Sequence, residues 1–154
     1  MIQKPAFTAQ SISHSGQGIT QTATLSRCVD GDTAHFIVDG ETQKVRFLSI
    51  DTPEVNHENE SASEPFAVLA SDYTCQALQD ANVIQIQTDP VEDPVDQYGR
   101  ILAWIWVDET LLNAKLVELG YAEVAFVKTI NLYSLDLEKL EALAQKARRG
   151  IWSD

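Results

Sequence analysis

Thr33-Ala-His-Phe-Ile-Val-Asp-Gly-Glu-Thr-Gln-Lys-Val-Arg-Phe-Leu-Ser-Ile50 carries the strongest turn signal of the chain, Asp39-Gly40, between two runs rich in β-branched and aromatic residues. Such a pair between alternating apolar residues predicts a two-residue hairpin, with strands over residues 33–38 and 43–50. On the second strand Arg46, Leu48 and Ile50 share one face and Val45, Phe47 and Ser49 the other. Apolar residues on both faces predict a barrel wall with something packed outside it. If Asp39 and Gly40 are the central turn residues, Asp32 pairs with Phe47 and Arg46 lies close to Asp32 across the strands. Asp51 then overshoots Asp32 by roughly 13 Å at a rise of about 3.3 Å per residue. A flat ribbon keeps the two aspartates apart, whereas a coiled or bulged strand brings them together.

Working outward, residues 22–29 read as a first strand ended by Asp30-Gly31. Thr52-Pro53 ends the third, because proline cannot donate to a ladder. Ser63-Glu64-Pro65 is a helix start. That helix is expected to run to about residue 81, with Phe66, Leu69, Tyr73 and Ala77 as its apolar face. Residues 83–88 alternate as a strand, 89–96 form an acidic, Pro-containing loop, and 101–107 are a strongly apolar strand. Leu112, Leu116 and Leu119 mark a short helix stopped by Gly120. A short strand at 121–124 follows, then a helix over 134–149 with Leu137, Leu140 and Ala144 on one face. The expected class is α+β with a mainly β core: a five-stranded Greek-key barrel of the oligonucleotide-binding (OB-fold) type with three α-helices.

A chain of 154 residues, 44% hydrophobic and 22% charged, suits one globular domain. No apolar run approaches the roughly 18 residues of a membrane span, and a monomer is expected. Residues 1–21 are rich in Ser, Gln, Thr and Gly without an apolar export core, so they read as a disordered lead or linker before a domain at 22–154. A secreted or cell-envelope protein is expected if an export signal precedes this sequence in a longer product, and a cytoplasmic one otherwise. Cys28 and Cys75 read as buried thiols. The net charge of −12 argues against tight electrostatic capture of long nucleic acid and favours attraction of divalent cations.

Three segments nevertheless match the needs of phosphodiester hydrolysis: charge neutralisation, an activated water and help for the leaving oxygen. Asp32 and Asp51 can hold a hard cation through oxygen, with the Thr52 carbonyl as a further ligand. Ca²⁺ suits that set better than Zn²⁺, since no Cys or well-placed His accompanies it. Arg46 and Arg100 offer planar forks for phosphate oxygens. Glu54, three residues after Asp51 across a Pro-fixed turn, is placed to accept a proton from attacking water. His14, His35 and His57 are given no catalytic role.

Cys28-Val-Asp-Gly-Asp-Thr33, Val45-Arg-Phe-Leu-Ser-Ile-Asp-Thr-Pro-Glu54 and Asp96-Gln-Tyr-Gly-Arg100 resemble, in order and spacing, the three catalytic segments of the staphylococcal nuclease (thermonuclease) family. The resemblance spans residues 22–154, including Gly150-Ile-Trp152. It implies a Ca²⁺-dependent nuclease on an OB-fold barrel, cleaving DNA and RNA at the P–O5′ bond to leave 3′-phosphates. Asp32, Asp51 and Thr52 would then ligate the metal, Arg46 and Arg100 bind phosphate, and Glu54 act as general base. Asp30 would support the metal site from behind Asp32, and Tyr98, Phe126 and Lys128 would contact the nucleotide.

Two departures from the family pattern stand out. The usually Lys-rich loop after the Glu reads Asn56-His-Glu-Asn-Glu-Ser-Ala-Ser-Glu64, and the expected stacking Tyr pair is Phe126 and Lys128. Eleven acidic residues and no Lys or Arg lie from Phe47 to Gly99, so DNA or RNA is expected to be bound weakly. The alternative reading is a non-catalytic barrel that binds nucleic acid or a protein partner.

Overall fold

The computed structural model describes residues 6–154. Its strands are β1 (Thr20–Asp30), β2 (Thr33–Val38), β3 (Glu41–Phe47), β4 (Ile50–Asp51), β5 (Ile84–Gln87), β6 (Ile101–Val107), β7 (Thr110–Leu111) and β8 (Glu123–Val124). Its α-helices are α1 (Ala67–Asp80), α2 (Leu112–Glu118) and α3 (Ser134–Lys146). The sheet runs β3-β2-β1-β5-β6, and a parallel β3–β6 pairing closes it into a five-stranded barrel. With three helices packed around it, this is the expected OB-fold. Trp104, Phe36, Phe47, Ile105, Leu116 and Leu137 are fully buried at its centre.

The β2–β3 hairpin forms because Asp39 and Gly40 both adopt positive φ, 52° and 80°, the geometry that matches strand twist in a two-residue loop. Val38 pairs with Glu41 and Thr33 with Arg46. The Phe47 N–H donates to the Asp32 carbonyl at 2.8 Å, so the expected register holds.

The third strand differs from its reading, because it stops at Phe47 and the chain reverses at Ser49, where φ is 63°. Buried Asn113 fixes this bend: its side-chain amide donates to the Leu48 carbonyl at 2.9 Å, while its Oδ1 accepts from the Ile105 N–H at 2.9 Å. Ile50 and Asp51 then pair with Val124 and Glu123 instead of continuing the barrel wall.

Helix α1 starts at Ala67, after Phe66 in the left-handed conformation (φ 69°), and buries Ala67, Ala70, Thr74 and Leu78. The expected face is therefore rotated, with Leu69 exposed and Tyr73 and Ala77 at the edge of the core. The cause is close approach to the turn after β1. A Cβ on Gly31 would lie 2.8 Å from the Thr52 side chain and 3.0 Å from that of Ala70, so only small residues fit there.

Two further expectations are corrected. Cys28 and Cys75 are not free thiols: they form a disulfide joining β1 to α1, with Cα atoms 5.5 Å apart and a sequence separation of 47. A loop of that length corresponds to about 4 kcal/mol of stabilisation in the chain-entropy model. The lead is also no disordered linker across its described part. Ala9 and Ile12 are buried in the core, the Ala9 N–H donates to Glu118 Oε1 at 2.9 Å, and Gln87 Nε2 donates to the Gln17 carbonyl at 2.8 Å. Two apolar residues three apart suffice to seat the segment, which its polar composition hides. Residues 1–5 of the expected lead lie outside the described residues. Among the described residues, no helix is long and apolar enough to cross a membrane.

Candidate active site

A cleft of about 1000 Å³ opens on one side of the barrel. Asp30, Asp32, Arg46, Asp51, Glu54, Tyr98, Arg100, Phe126 and Lys128 all line it. The β1–β2 turn supplies Asp30 and Asp32, β3 supplies Arg46, and the segment after the Ser49 reversal supplies Asp51 and Glu54. The loops before β6 and after β8 supply the remainder.

Arg46 is the meeting point of three segments. Its Nη2 lies 3.2 Å from Asp32 Oδ2 and 3.5 Å from Asp51 Oδ1, and its Nη1 donates to the Phe47 carbonyl at 2.7 Å. Its guanidinium carbon stands 5.7 Å from the centre of the Phe126 ring. Asp32 is buried and almost fully engaged: Oδ1 accepts from Thr33 Oγ1 at 3.1 Å and Oδ2 from the Thr52 N–H at 3.0 Å. The Ser49 reversal thus answers the spacing problem of the flat ribbon by carrying Asp51 back to the guanidinium that Asp32 holds.

Carboxylates crowd here. Burial first, and then the charge of Asp32, push the Asp30 carboxyl up to about 7. Asp51 is also raised, by burial and then by Asp32, with Arg46 opposing. Glu54 is exposed and held through its backbone, its N–H donating to Glu64 Oε2 at 2.9 Å and its carbonyl accepting from the Glu64 N–H at 3.0 Å. The side chain is left free to face the cleft.

On the other wall, Arg100 Nε donates to Asp96 Oδ2 at 2.8 Å, and the Arg100 N–H to Asp96 Oδ1 at 2.9 Å. Its guanidinium carbon is 5.4 Å from the Tyr98 ring centre. Burial pushes the Asp96 carboxyl up, but hydrogen bonds from Arg100 and the Tyr98 N–H outweigh it and hold the group below the usual carboxylate range.

All the expected site residues except Thr52 therefore line one cleft. Thr52 is buried and contributes its amide to Asp32. The residues missed at first are the supports. Asp96 anchors Arg100, and the Thr74 hydroxyl donates to the Gly31 carbonyl at 2.7 Å. Asn131 Nδ2 donates to Ser49 Oγ at 2.8 Å and to Glu92 Oε1 at 3.2 Å, tying the acidic loop to the reversal. Only Asp96 had a local signal, an Asp four residues before an Arg with Gly between.

Among the described residues, no group of three His, Cys, Asp or Glu side chains is arranged to hold a metal ion. Asp32 and Asp51 do present oxygens to a single cationic nitrogen, and the all-oxygen character of that pair fits a hard cation whose remaining positions are completed by water and substrate.

The closed OB-fold barrel thus carries paired carboxylates and two arginines in one cleft. The family model described as staphylococcal nuclease homologue matches residues 44–154, and the chain belongs to that family. It is 32% identical over 154 residues to the thermonuclease of Staphylococcus hyicus, covering 100% of this chain and 87% of that one. It is 33% identical over 128 residues to the thermonuclease of Staphylococcus intermedius, covering 83% and 74%. Endonuclease YncB of Bacillus subtilis (strain 168) is 36% identical over 131 residues, covering 84% of this chain and 61% of that protein.

Proposed function

We propose that this chain is a Ca²⁺-dependent nuclease that hydrolyses DNA and RNA at the P–O5′ bond and leaves 3′-phosphate ends. Nuclease activity is supported by family membership and by the relatives named thermonuclease and endonuclease. The observation that carries the finer reading is the convergence of Asp32 and Asp51, from separate segments, on one Arg46 nitrogen in the cleft that Glu54 and Arg100 also line.

Asp32 and Asp51 side chains, with the Thr52 carbonyl, would hold Ca²⁺, which when bound supplies Lewis-acid stabilisation of phosphate oxygens. Arg46 and Arg100 grip the non-bridging oxygens and meet the extra charge of the transition state. Glu54 accepts the proton of the attacking water. Tyr98, Phe126 and Lys128 contact the nucleotide, and Asp30 backs Asp32. The protein works as a monomer on weakly held substrate. It works outside the reducing cytoplasm, a compartment the Cys28–Cys75 disulfide supports.

The test is digestion of single- and double-stranded DNA and RNA with Ca²⁺, Mg²⁺, Mn²⁺ or EDTA, with end-group analysis of the products. Ca²⁺-dependent cleavage to 3′-phosphates that fails in Glu54→Gln is the expected result. Binding without cleavage under every metal would leave a non-catalytic module instead.

A further inference from the structure

The Asp30-Gly31-Asp32 turn is clasped to helix α1 twice. The Cys28–Cys75 disulfide joins the end of β1 to the middle of the helix. One residue earlier on the same helix, Thr74 Oγ1 donates to the Gly31 carbonyl at 2.7 Å. The disulfide sits where β1 is irregular: Cys28 pairs with Ala34 and Asp30 with Thr33, so the ladder slips by one residue between them. A bulge leaves local backbone less restrained by the ladder, and here the covalent bond restrains it. The turn that leads into the same helix holds a different part of the site. Glu64 exchanges hydrogen bonds with the Glu54 backbone, and the Ala67 N–H donates to the Glu64 carbonyl at 3.1 Å. Helix α1, with the Glu64 turn that leads into it, is therefore the common body to which both the Asp32 turn and the Glu54 segment are fastened, and among the described residues the disulfide is its only covalent cross-link to the Asp32 turn.

We infer that the Cys28–Cys75 disulfide is a redox-sensitive positioning device that sets the Asp32 turn against Glu54, so that the oxidised protein is the active form and a dithiol reductant lowers its turnover. The inference rests on the nuclease reading. The step is thiol–disulfide exchange: a dithiol gives up two electrons and two protons, its own disulfide forms, the Cys28–Cys75 bond breaks, and both cysteines become thiols. Both half-cystines are partly exposed, so a reductant can reach them. The remaining clasp is one hydroxyl-to-carbonyl hydrogen bond, which holds the helix near the turn but fixes its position along the axis less tightly. A displacement of about 1 Å between groups acting on the same substrate costs about 100-fold in rate.

The experiment compares air-oxidised protein with protein reduced by dithiothreitol, its thiols counted at two per chain, and with the Cys28→Ser/Cys75→Ser double variant. Turnover, KM for a single-stranded oligonucleotide, Ca²⁺ affinity by calorimetry, far-UV circular dichroism and amide exchange at residues 31–33 are measured on each. Expected in the reduced protein are a kcat lower by about 10- to 100-fold and a KM within about twofold of the oxidised value. Ca²⁺ binding should weaken and exchange at residues 31–33 should quicken while helix content stays unchanged, all restored by reoxidation. The double variant should match the reduced protein and ignore dithiothreitol. Equal kcat in the oxidised and reduced forms overturns the inference. Loss of helix content together with loss of turnover also overturns it, because the bond is then a plain structural staple. Oxidised protein inactive with every metal sinks the nuclease reading instead, and the calorimetry and exchange data still decide whether the bond positions the turn.

Discussion

The two arginines of the cleft are held in different ways. Arg46 sits in the barrel wall with its side chain 12% exposed, and its partners come from the β1–β2 turn, the segment after Ser49 and the loop after β8. Arg100 is 30% exposed and finds its carboxylate four residues back and its aromatic ring two residues back. One is assembled by the whole fold and the other by a single loop. Side-chain type is thus no guide to how robust a site residue is, because only Arg46 reports on whether distant segments have been brought together.

The largest expected effect separates the pair directly. Arg46→Gln and Arg100→Gln should each lower kcat by orders of magnitude, as loss of a charged transition-state donor does, yet their metal-free stabilities should part. Removing Arg46 leaves a buried Asp32 and a half-buried Asp51 facing each other, at a cost of about 3 kcal/mol. Removing Arg100 exposes a more solvated pair worth under about 1 kcal/mol. Divalent-cation affinity should rise in Arg46→Gln, where a competing cation is gone, and stay unchanged in Arg100→Gln. Urea titrations without metal and calorimetry with Ca²⁺ read both quantities. Equal stability losses would erase the distinction.

Next in size is Gly31→Ala, which tests the long-range assembly without touching a charge. Its new methyl would meet Thr52, whose amide holds Asp32, and Ala70 on α1. Overpacking of this kind costs about 1–3 kcal/mol. Because the strain falls on the Asp32 side, turnover should drop while the local Arg100–Asp96 unit stays intact. Thermal unfolding and kcat measured together check it.

This contrast also explains what could be read from the sequence. Asp39-Gly40 fixed the hairpin and register because its signal is local, and Asp96-Gln-Tyr-Gly-Arg100 is a self-contained loop of the same kind. The reversal at Ser49 was invisible because Leu48-Ser49-Ile50 continues the strand alternation, and the residue that bends it, Asn113, is 65 positions away. The α1 face was misjudged for a similar reason. Periodicity finds the large apolar residues, whereas close approach to Gly31 selects Ala70 and Thr74. The disulfide depends on helix rotation against a bulged strand, and no spacing of two cysteines encodes that. Which charged residues would share one cleft was legible, but the supports that converge them were not.

A smaller effect probes the local unit. Asp96→Asn keeps an acceptor but removes the charge, so Arg100 should be less well held and kcat should fall by about tenfold. The Asp96 carboxyl is depressed on folding, so its stabilisation is fully present above the ordinary carboxylate range and is lost as pH falls through its folded value. The stability gap between wild type and Asp96→Asn should therefore hold steady at neutral pH, at under about 1 kcal/mol, and close below about pH 4. Melting temperatures across pH measure it, and a gap that widens in acid would contradict the assignment.

The smallest effect concerns capture. Among the described residues, Lys128 has no ion-pair partner, whereas Arg46 and Arg100 face carboxylates already. Binding to the cleft must displace those carboxylates from the arginines or leave them in place. Either way few counterions are released, and three cations set a slope of log affinity against log salt of about −2 for a single strand. Lys128→Gln should weaken oligonucleotide binding only a few-fold and flatten the slope by about 0.7. If the slope instead proves steep and unaffected by Lys128, phosphate contacts outside the cleft must dominate, and the acidic surface from Phe47 to Gly99 would not be limiting capture at all.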